Sequence, residues 1–286
     1  MSFWFILLLT NAILGLAMFE WAWIKMRPFY KVNEERDSKY PAYRRFDAKN
    51  WRKWKFYPGA LTILPIRFIS CVLAMIIVFI GLKVITIGSR YQRGKSLTGW
   101  RFTVASGLFR FWGFCWSFSA GVLTSSKVVK DLDYRKYLGP DYKKDKHPDH
   151  VSTLILNHVS WVDIYVLLAN YAPAFAAKKE LQGIPVFGDI CEYMGCLFIT
   201  REGSEEKRLN NINKIEERQL LIEKEGLFRP LVVFAEGGTT NGTSIIPFKK
   251  GAFVSELSVK PMVVSYNYWT LNPAYDSVDF LPLAIF

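Results

Sequence analysis

The pattern of hydrophobic positions divides the chain into two parts near residue 150. Before that point, apolar residues form three long runs, over residues 3–24, 56–82 and 102–126. The first run has 22 residues, with Glu20 as its only charge, and is long enough to cross the hydrocarbon core of a bilayer as a helix. We therefore predict a transmembrane anchor over residues 1–27.

The other two runs predict hydrophobic, membrane-associated helices within residues 59–126. Pro58, Pro65 and Arg67 interrupt the second run, and Arg110 is the only charge in the third. A proline and a charge argue against one straight span through the second run. A single span, a re-entrant pair and a helix lying in the interface all remain compatible with the pattern.

After residue 150, short β-branched runs alternate with helical patterns. The alternation predicts strands over residues 151–156, 174–177, 196–200, 231–234 and 262–266. It predicts helices over residues 161–171, 185–194, 204–226 and 251–258. The helix over 204–226 has Ser204 as its predicted N-cap and a predicted inward-facing stripe of Leu209, Ile212, Ile215, Gln219 and Ile222. This order predicts an α/β domain over residues 127–286, with a largely parallel sheet flanked by helices.

The composition favours a membrane surface over nucleic acid. The chain is 51% hydrophobic and carries a formal charge of +12. Its high hydrophobic fraction excludes a disordered chain and is unusual for a DNA-binding protein, although the basic charge alone would fit one. Residues 25–55 hold 11 basic and 4 acidic side chains, and thus contribute +7 of that charge. We predict a basic juxtamembrane segment over residues 28–58 that contacts anionic lipid head groups, with a solvated linker as the alternative.

Several common kinds of chemistry lack their sequence signatures. The chain has no GxSxG, P-loop or GxGxxG motif. The motifs that usually identify serine hydrolases and enzymes that bind nucleotide phosphates are therefore absent from the sequence. Four cysteines without close zinc-ligand spacing and only three histidines predict no metal site and no cofactor.

Polar residues follow three of the predicted strands, at the edge where ligands bind in parallel sheets. They are Asn157, His158, Ser160 and Asp163 after the first strand, Arg201 and Glu202 after the third, and Glu236, Gly237, Gly238, Thr239, Thr240 and Asn241 after the fourth. Segments far apart in the chain are therefore expected to meet at one edge of the sheet.

His158 and Asp163 have a spacing that restricts how they can meet. On a continuous helix, two residues five positions apart have their side chains on different faces. They can pair only if His158 lies in the turn before the helix and Asp163 lies in its first turns, where Ser160 is a candidate N-cap. Such a pair is a histidine base with its orienting carboxylate, without an attached nucleophile.

Four segments resemble the four sequence blocks of the glycerolipid acyltransferases. The segments are Asn-His-Val-Ser-Trp-Val-Asp at 157–163, Gly-Cys-Leu-Phe-Ile-Thr-Arg at 195–201, Phe-Ala-Glu-Gly-Gly-Thr-Thr-Asn-Gly at 234–242 with Pro-Phe-Lys-Lys-Gly-Ala-Phe at 247–253, and Val-Lys-Pro-Met-Val-Val-Ser at 259–265. Their order and spacing match over about residues 120–270. The third block looks most like the lysophosphatidylcholine and lysophosphatidylethanolamine acyltransferase branch.

This resemblance implies acyl transfer from acyl-CoA, as co-substrate, to the free hydroxyl of a lysophospholipid in a membrane. His158 would be the general base and Asp163 its orienting carboxylate. The implied substrate-binding residues are Asn157, Ser160, Lys178, Arg201, Glu236, Gly237, Gly238 and Thr239. Arg201 suits a phosphate, with a surface ion pair to Glu202 or Glu205 as the alternative. The N–H groups of residues 237–239 could form an anion nest, and Lys178 with Lys179 could either bind CoA phosphates or belong to a solvated loop. We expect the Glu236 carboxylate, which would repel a phosphate, to bind loop N–H groups or Arg201.

The sequence departs from the family pattern at two positions of the third block. Ala235 stands where proline is usual, and Gly238 stands where threonine is usual. The chain also stops about 15 residues after the region of resemblance, which reaches about residue 270. These departures support an alternative hypothesis, a non-catalytic, lipid-binding subunit of a larger membrane protein complex. We expect residence in the endoplasmic reticulum for the enzyme, or in the mitochondrial inner membrane for such a subunit.

Overall fold

The computed structural model describes residues 2–30, 33–129, 133–142, 151–200, 204–268 and 270–274. Within the first half of the chain the helices are α1 (Phe3–Met26), α2 (Glu34–Lys39), α3 (Tyr57–Thr62), α4 (Leu64–Thr86), α5 (Gly99–Ser119) and α6 (Arg135–Leu138). The apolar runs of the sequence therefore become α1, the pair α3 and α4, and α5. Proline at the start of both α3 and α4 explains why the second run forms two helices.

The C-terminal half of α1 packs against α3 and the basic segment. Phe19, Ala22 and Met26 are buried there together with Trp51 and Leu64. The one charge of α1, Glu20, forms an ion pair with Lys53 at 2.6 Å and accepts a hydrogen bond from the hydroxyl of Tyr57 at 2.8 Å. The basic segment therefore supplies the partners of the charge carried by the apolar helix.

Helices α1 and α4 are long and apolar enough, by length and composition, to cross a membrane. Both expose apolar side chains that no part of the described chain covers. These include Ile6, Leu7, Leu8, Ile13, Ile66, Ile69, Leu73, Ile77 and Ile80. So large an exposed apolar surface marks a region that contacts lipid, and the protein is membrane-associated.

The second half of the chain contains a parallel sheet flanked by helices. Its strands are β1 (Thr153–Leu156), β2 (Ala174–Lys178), β3 (Leu197–Ile199), β4 (Leu231–Phe234) and β5 (Val259–Met262). Its helices are α7 (Val162–Tyr171), α8 (Phe187–Met194) and α9 (Glu205–Glu225). Among the described residues the strand order is β3-β2-β4-β1-β5, and every pairing is parallel. The predicted α/β class is confirmed.

Helices α4 and α5 share one hydrophobic core with this sheet. Val78 of α4 and Phe109 and Trp112 of α5 are buried together with Tyr165 and Leu168 of α7. At Gly113 of α5 a Cβ atom would lie 2.4 Å from the backbone nitrogen of Ala169, so only glycine allows this close approach of α5 to α7. The membrane-associated helices are thus built onto the α/β domain.

Two predicted elements are wrong. The last strand runs from Val259 to Met262 rather than over 262–266, so it contains Pro261. A proline is tolerated because β5 is an edge strand, where one missing N–H need not break a ladder. The predicted helix over 251–258 is only a short 3-10 turn, Lys250–Ala252, and Glu256 adopts a positive φ of 52° that no helix continues through.

The inward stripe of α9 is shorter than predicted. Ile215, Gln219 and Ile222 are buried against the sheet, but Leu209 is 58% exposed. The first turns of α9 therefore extend past the covered part of the sheet.

Candidate active site

The candidate site lies where the neighbouring strands β1 and β4 end. His158 follows β1 by two residues and Glu236 follows β4 by two, and the paired residues Leu156 and Phe234 bring both ends to the same level. This is the carboxyl edge of the parallel sheet, where ligands bind in α/β proteins.

The His158 ring is held by one hydrogen bond and one aromatic contact. Its Nδ1 lies 2.9 Å from Oδ2 of Asp163, and its ring stacks on Phe234 with centroids 3.8 Å apart. The side chain is 13% exposed, and its Nε2 forms no hydrogen bond with the described residues. One ring nitrogen is thus engaged by a carboxylate, while the other has no hydrogen-bond partner among the described residues.

Asp163 is fully buried, and both its oxygens accept hydrogen bonds. Oδ2 accepts from the N–H groups of Val159 at 2.8 Å and Ser160 at 3.0 Å, in addition to its contact with His158. Oδ1 accepts from the hydroxyl of Tyr266. Because Asp163 lies in the first turn of α7, its side chain folds back over the preceding turn, as the spacing analysis required.

Glu236 connects the His158 turn to the loop after β4. Its Oε1 accepts the backbone N–H of His158 at 2.8 Å, and its Oε2 accepts the N–H of Ile246 at 3.1 Å. The residue is buried, with 3% of its surface exposed. The expectation that this carboxylate binds backbone N–H groups is confirmed.

Asn157 and Ser160 use their side chains inside the protein. The Asn157 amide donates to the carbonyl of Val264 and accepts its N–H, both at 2.8 Å. The Ser160 hydroxyl is fully buried and accepts the N–H of Val162 at 3.2 Å, so α7 begins after Trp161 and Ser160 belongs to the turn before it. Through these bonds both side chains hold the site together.

The glycines of the third block differ in what surrounds them. Gly237 has a φ of 76°, and a Cβ there would lie 2.5 Å from Nζ of Lys249, so the ammonium lies against this loop. The N–H of Gly237 donates to the carbonyl of Phe234 at 3.0 Å, which removes it from the predicted anion nest. The N–H groups of Gly238 and Thr239 form no hydrogen bond with the described residues, which leaves them as the candidates for the predicted anion nest.

Of the two cationic residues predicted to bind substrate, the structure describes only Lys178. Lys178 is exposed at the carboxyl end of β2, next to β4 in the sheet. Arg201, like Glu202 beside it, lies outside the described residues.

The basic segment is part of the site's framework, which the sequence did not indicate. Asn241 donates its side-chain amide to the carbonyls of Pro41 and Arg44 at 2.8 Å, and its N–H to the carbonyl of Ala42. Asp47 accepts the N–H of Asn272 at 2.7 Å. Residues 41–47 are thus bound to the third block and to the segment after β5, so they are not a free linker.

Tyr266 is the second residue that the sequence analysis missed. It was predicted as the last residue of a strand, and nothing in its spacing from Asp163, 103 residues away, signals a contact. Burial and the nearby charge of Asp163 raise the pKa of the Tyr266 hydroxyl well above its usual value, so it remains a proton donor.

Comparisons with known proteins agree with this geometry. A family model described as Acyltransferase matches residues 141–269. Lysophospholipid acyltransferase LPEAT1 of Arabidopsis thaliana is 24% identical over 86% of this chain and 71% of its own length. A lysophosphatidylcholine acyltransferase of Drosophila melanogaster is 29% identical over 80% of this chain and 40% of its own length. A lyso-ornithine lipid O-acyltransferase of Pseudomonas aeruginosa is 39% identical over 40% of this chain and 42% of its own length.

No solved structure matches the chain significantly. None of the three relatives is named as a non-catalytic subunit, so they give no support to that alternative.

The family match, the parallel sheet with its histidine–carboxylate pair and the apolar helices together indicate a membrane-associated acyltransferase. Over residues 141–269 the chain carries an acyltransferase domain of the glycerolipid acyltransferase type. The relatives that it matches include the lysophosphatidylcholine and lysophosphatidylethanolamine acyltransferase branch.

Proposed function

We propose that this protein transfers a fatty acyl group from acyl-CoA to the free hydroxyl of a lysophospholipid, with His158 as the general base. The observation that carries the proposal is the His158–Asp163 pair, whose Nδ1 is engaged at 2.9 Å and whose Nε2 is left open. The names of the relatives LPEAT1 and lysophosphatidylcholine acyltransferase support a lysophospholipid acceptor.

The reaction needs a base because an alcohol is almost un-ionised at neutral pH. The acceptor hydroxyl attacks the thioester carbonyl while its proton moves to Nε2 of His158. The C–S bond then breaks, and the leaving CoA thiolate takes that proton from the imidazolium. Asp163 holds Nδ1–H and stabilises the positive ring between these two steps. The products are a diacyl phospholipid and free CoA.

The transfer is direct, without an acyl-enzyme. The acceptor hydroxyl is itself the nucleophile, so the chemistry needs none from the protein. The hydroxyl of Ser160, two residues from His158 in the chain, is fully buried and bound within the turn.

Charged and backbone groups around the pair suit two phosphorylated substrates. Arg201 stays a prediction for the acceptor phosphate, together with the N–H groups of Gly238 and Thr239. Lys178, exposed at the end of β2, is our candidate for binding a phosphate of CoA. The apolar surfaces of α1 and α4 would keep the site near the bilayer, from which both acyl chains come, and the endoplasmic reticulum is the proposed membrane.

The test is an acceptor panel with the purified protein in lipid micelles. Release of CoA thiol and formation of diacyl lipid are followed with acyl-CoA and lysophosphatidylcholine, lysophosphatidylethanolamine, lysophosphatidate or a lyso-ornithine lipid. We expect turnover of at least one acceptor by the wild type and by His147→Ala, and a loss of about 10²–10⁴-fold in His158→Ala. Equal rates in the wild type and His158→Ala would refute the proposal.

A further inference from the structure

Tyr266 reaches the candidate active site from the segment after β5. This segment continues beyond the end of the strand at Met262, and Asn157 fixes it by binding both the N–H and the carbonyl of Val264. Two residues later, the Tyr266 hydroxyl donates to Oδ1 of Asp163. Thus the first sequence block is bound by the fourth block through Val264 and by the residue that follows that block, Tyr266, whose contact is with the carboxylate of Asp163 next to His158.

The two oxygens of Asp163 are not equivalent. Oδ2 has three neighbours, which are His158 Nδ1 and the N–H groups of Val159 and Ser160. Oδ1 has only the Tyr266 hydroxyl among the described residues. Because Asp163 is fully buried, loss of this donor would leave a charged oxygen without a partner, and the carboxylate would turn or draw in water.

We propose that Tyr266 is a positioning residue for the general base, which it orients through Asp163. This inference rests on the proposed function. The phenol fixes the rotation of the carboxylate, and the carboxylate fixes the plane of the imidazole so that Nε2 points to the acceptor hydroxyl. Stacking on Phe234 fixes the plane of the imidazole ring but still allows the ring to rotate within that plane. The contact with Asp163 restrains this rotation.

Other charged groups do not replace Tyr266. Among the described residues, the one other ionisable group bound to this turn is Glu236, which accepts the backbone N–H of His158 rather than binding the ring. The raised pKa of Tyr266 keeps the phenol protonated, so its donation to Asp163 persists over the working pH range.

The kinetic test compares Tyr266→Phe with Tyr268→Phe. Tyr268 is 40% exposed and forms no hydrogen bond with the described residues, so its variant removes a hydroxyl two positions away without touching Asp163. We expect Tyr266→Phe to lower kcat about tenfold with the acceptor KM changed less than about twofold, and Tyr268→Phe to match the wild type. In an Asp163→Asn background the effect of Tyr266→Phe should shrink to less than about twofold, because the carboxylate through which it acts is gone. An undiminished tenfold effect in that background would overturn the proposal, as would an unchanged kcat in Tyr266→Phe alone.

A spectroscopic readout separates this proposal from the proposed function. The chain has three histidines, so in protein labelled with ¹⁵N-histidine the Nδ1–H signal of His158 is identified by its loss in His158→Ala. Tyr266→Phe should move this signal, because the carboxylate that accepts the proton has lost a competing donor, while Tyr268→Phe should leave it in place. An unmoved signal contradicts the positioning role even if the enzyme turns over. A moved signal in a protein that acylates no acceptor supports the Asp163 contact and refutes the proposed function alone.

Discussion

Replacing Glu236 with glutamine distinguishes two roles for this residue. The family resemblance assigns it to the acceptor site, whereas the structure has its two oxygens accepting the N–H groups of His158 at 2.8 Å and Ile246 at 3.1 Å. Glutamine keeps one oxygen and replaces the other with an NH₂ group. Whichever way the amide turns, one backbone N–H then faces a donor instead of an acceptor.

The expected cost follows from the burial of this site. A hydrogen bond to a charged group contributes about 1.5–3 kcal/mol, and a buried donor without an acceptor costs a similar amount, so Glu236→Gln should destabilise the protein by about 2–4 kcal/mol. For a chain of this size that corresponds to a fall of about 5–10 °C in the apparent Tm. Because the lost bond anchors the His158 turn, we expect kcat to fall about tenfold or more, while the acceptor KM stays within about threefold.

The assay is thermal unfolding and steady-state kinetics of the purified variant beside Glu223→Gln. Glu223 binds the N–H and hydroxyl of Ser258 through one oxygen, before β5 and far from the carboxyl edge. Its variant removes the same charge but can keep both bonds, and we expect full activity. If Glu236→Gln leaves Tm unchanged and raises the acceptor KM tenfold or more, then Glu236 binds the acceptor. The interpretation that it instead holds the His158 turn to the loop after β4 would then be wrong.

The other predictions concern the base pair and the third block. Asp163→Asn should lower kcat about 10²–10⁴-fold. The variant removes about 5 kcal/mol of attraction between the carboxylate and an imidazolium about 3 Å away, at an effective dielectric constant of about 20, and the amide restores only part of it. A loss of kcat below tenfold would contradict this. Gly237→Ala should reduce activity and lower Tm, because its φ of 76° and the Lys249 side chain both oppose a Cβ. Gly238→Thr introduces the residue usual in the family. Because a Cβ there meets nothing within 4 Å, Tm should stay unchanged and activity should stay within about threefold of the wild type. A collapse of either would show that the loop needs glycine. Asn241→Ala removes two bonds to the carbonyls at 41 and 44 and should lower Tm by about 5 °C, as measured by thermal unfolding, and an unchanged Tm would contradict the docking of that segment.

The elements that the sequence predicted well are those that depend on local periodicity. The strand at Leu231–Phe234 has the predicted bounds, and the helix Val162–Tyr171 differs by one residue at its start. The last strand was misplaced: it runs from Val259 to Met262 and includes Pro261. A proline is tolerated there because β5 is an edge strand, which only the sheet order shows.

The candidate site was predictable where the constraint lay within a few residues. The five-residue spacing of His158 and Asp163 allowed one arrangement, and the structure has it. The contacts of Tyr266 with Asp163 and of Asn157 with Val264 join segments more than 100 residues apart. They depend on how far the chain continues past β5, which no local pattern of side chains specifies.

The docking of residues 41–47 on the third block has a geometric consequence for how the enzyme meets its membrane. This segment leads from α1 towards α3 and is held at both Asn241 and Asn272. A bilayer that held α1 would therefore hold His158 at a fixed distance from it, because the segment between them is bound at both points. If His158 acts as proposed, an acceptor would reach it within the bilayer only where its hydroxyl lies at that depth, so the position of the hydroxyl along the membrane normal would contribute to substrate selection.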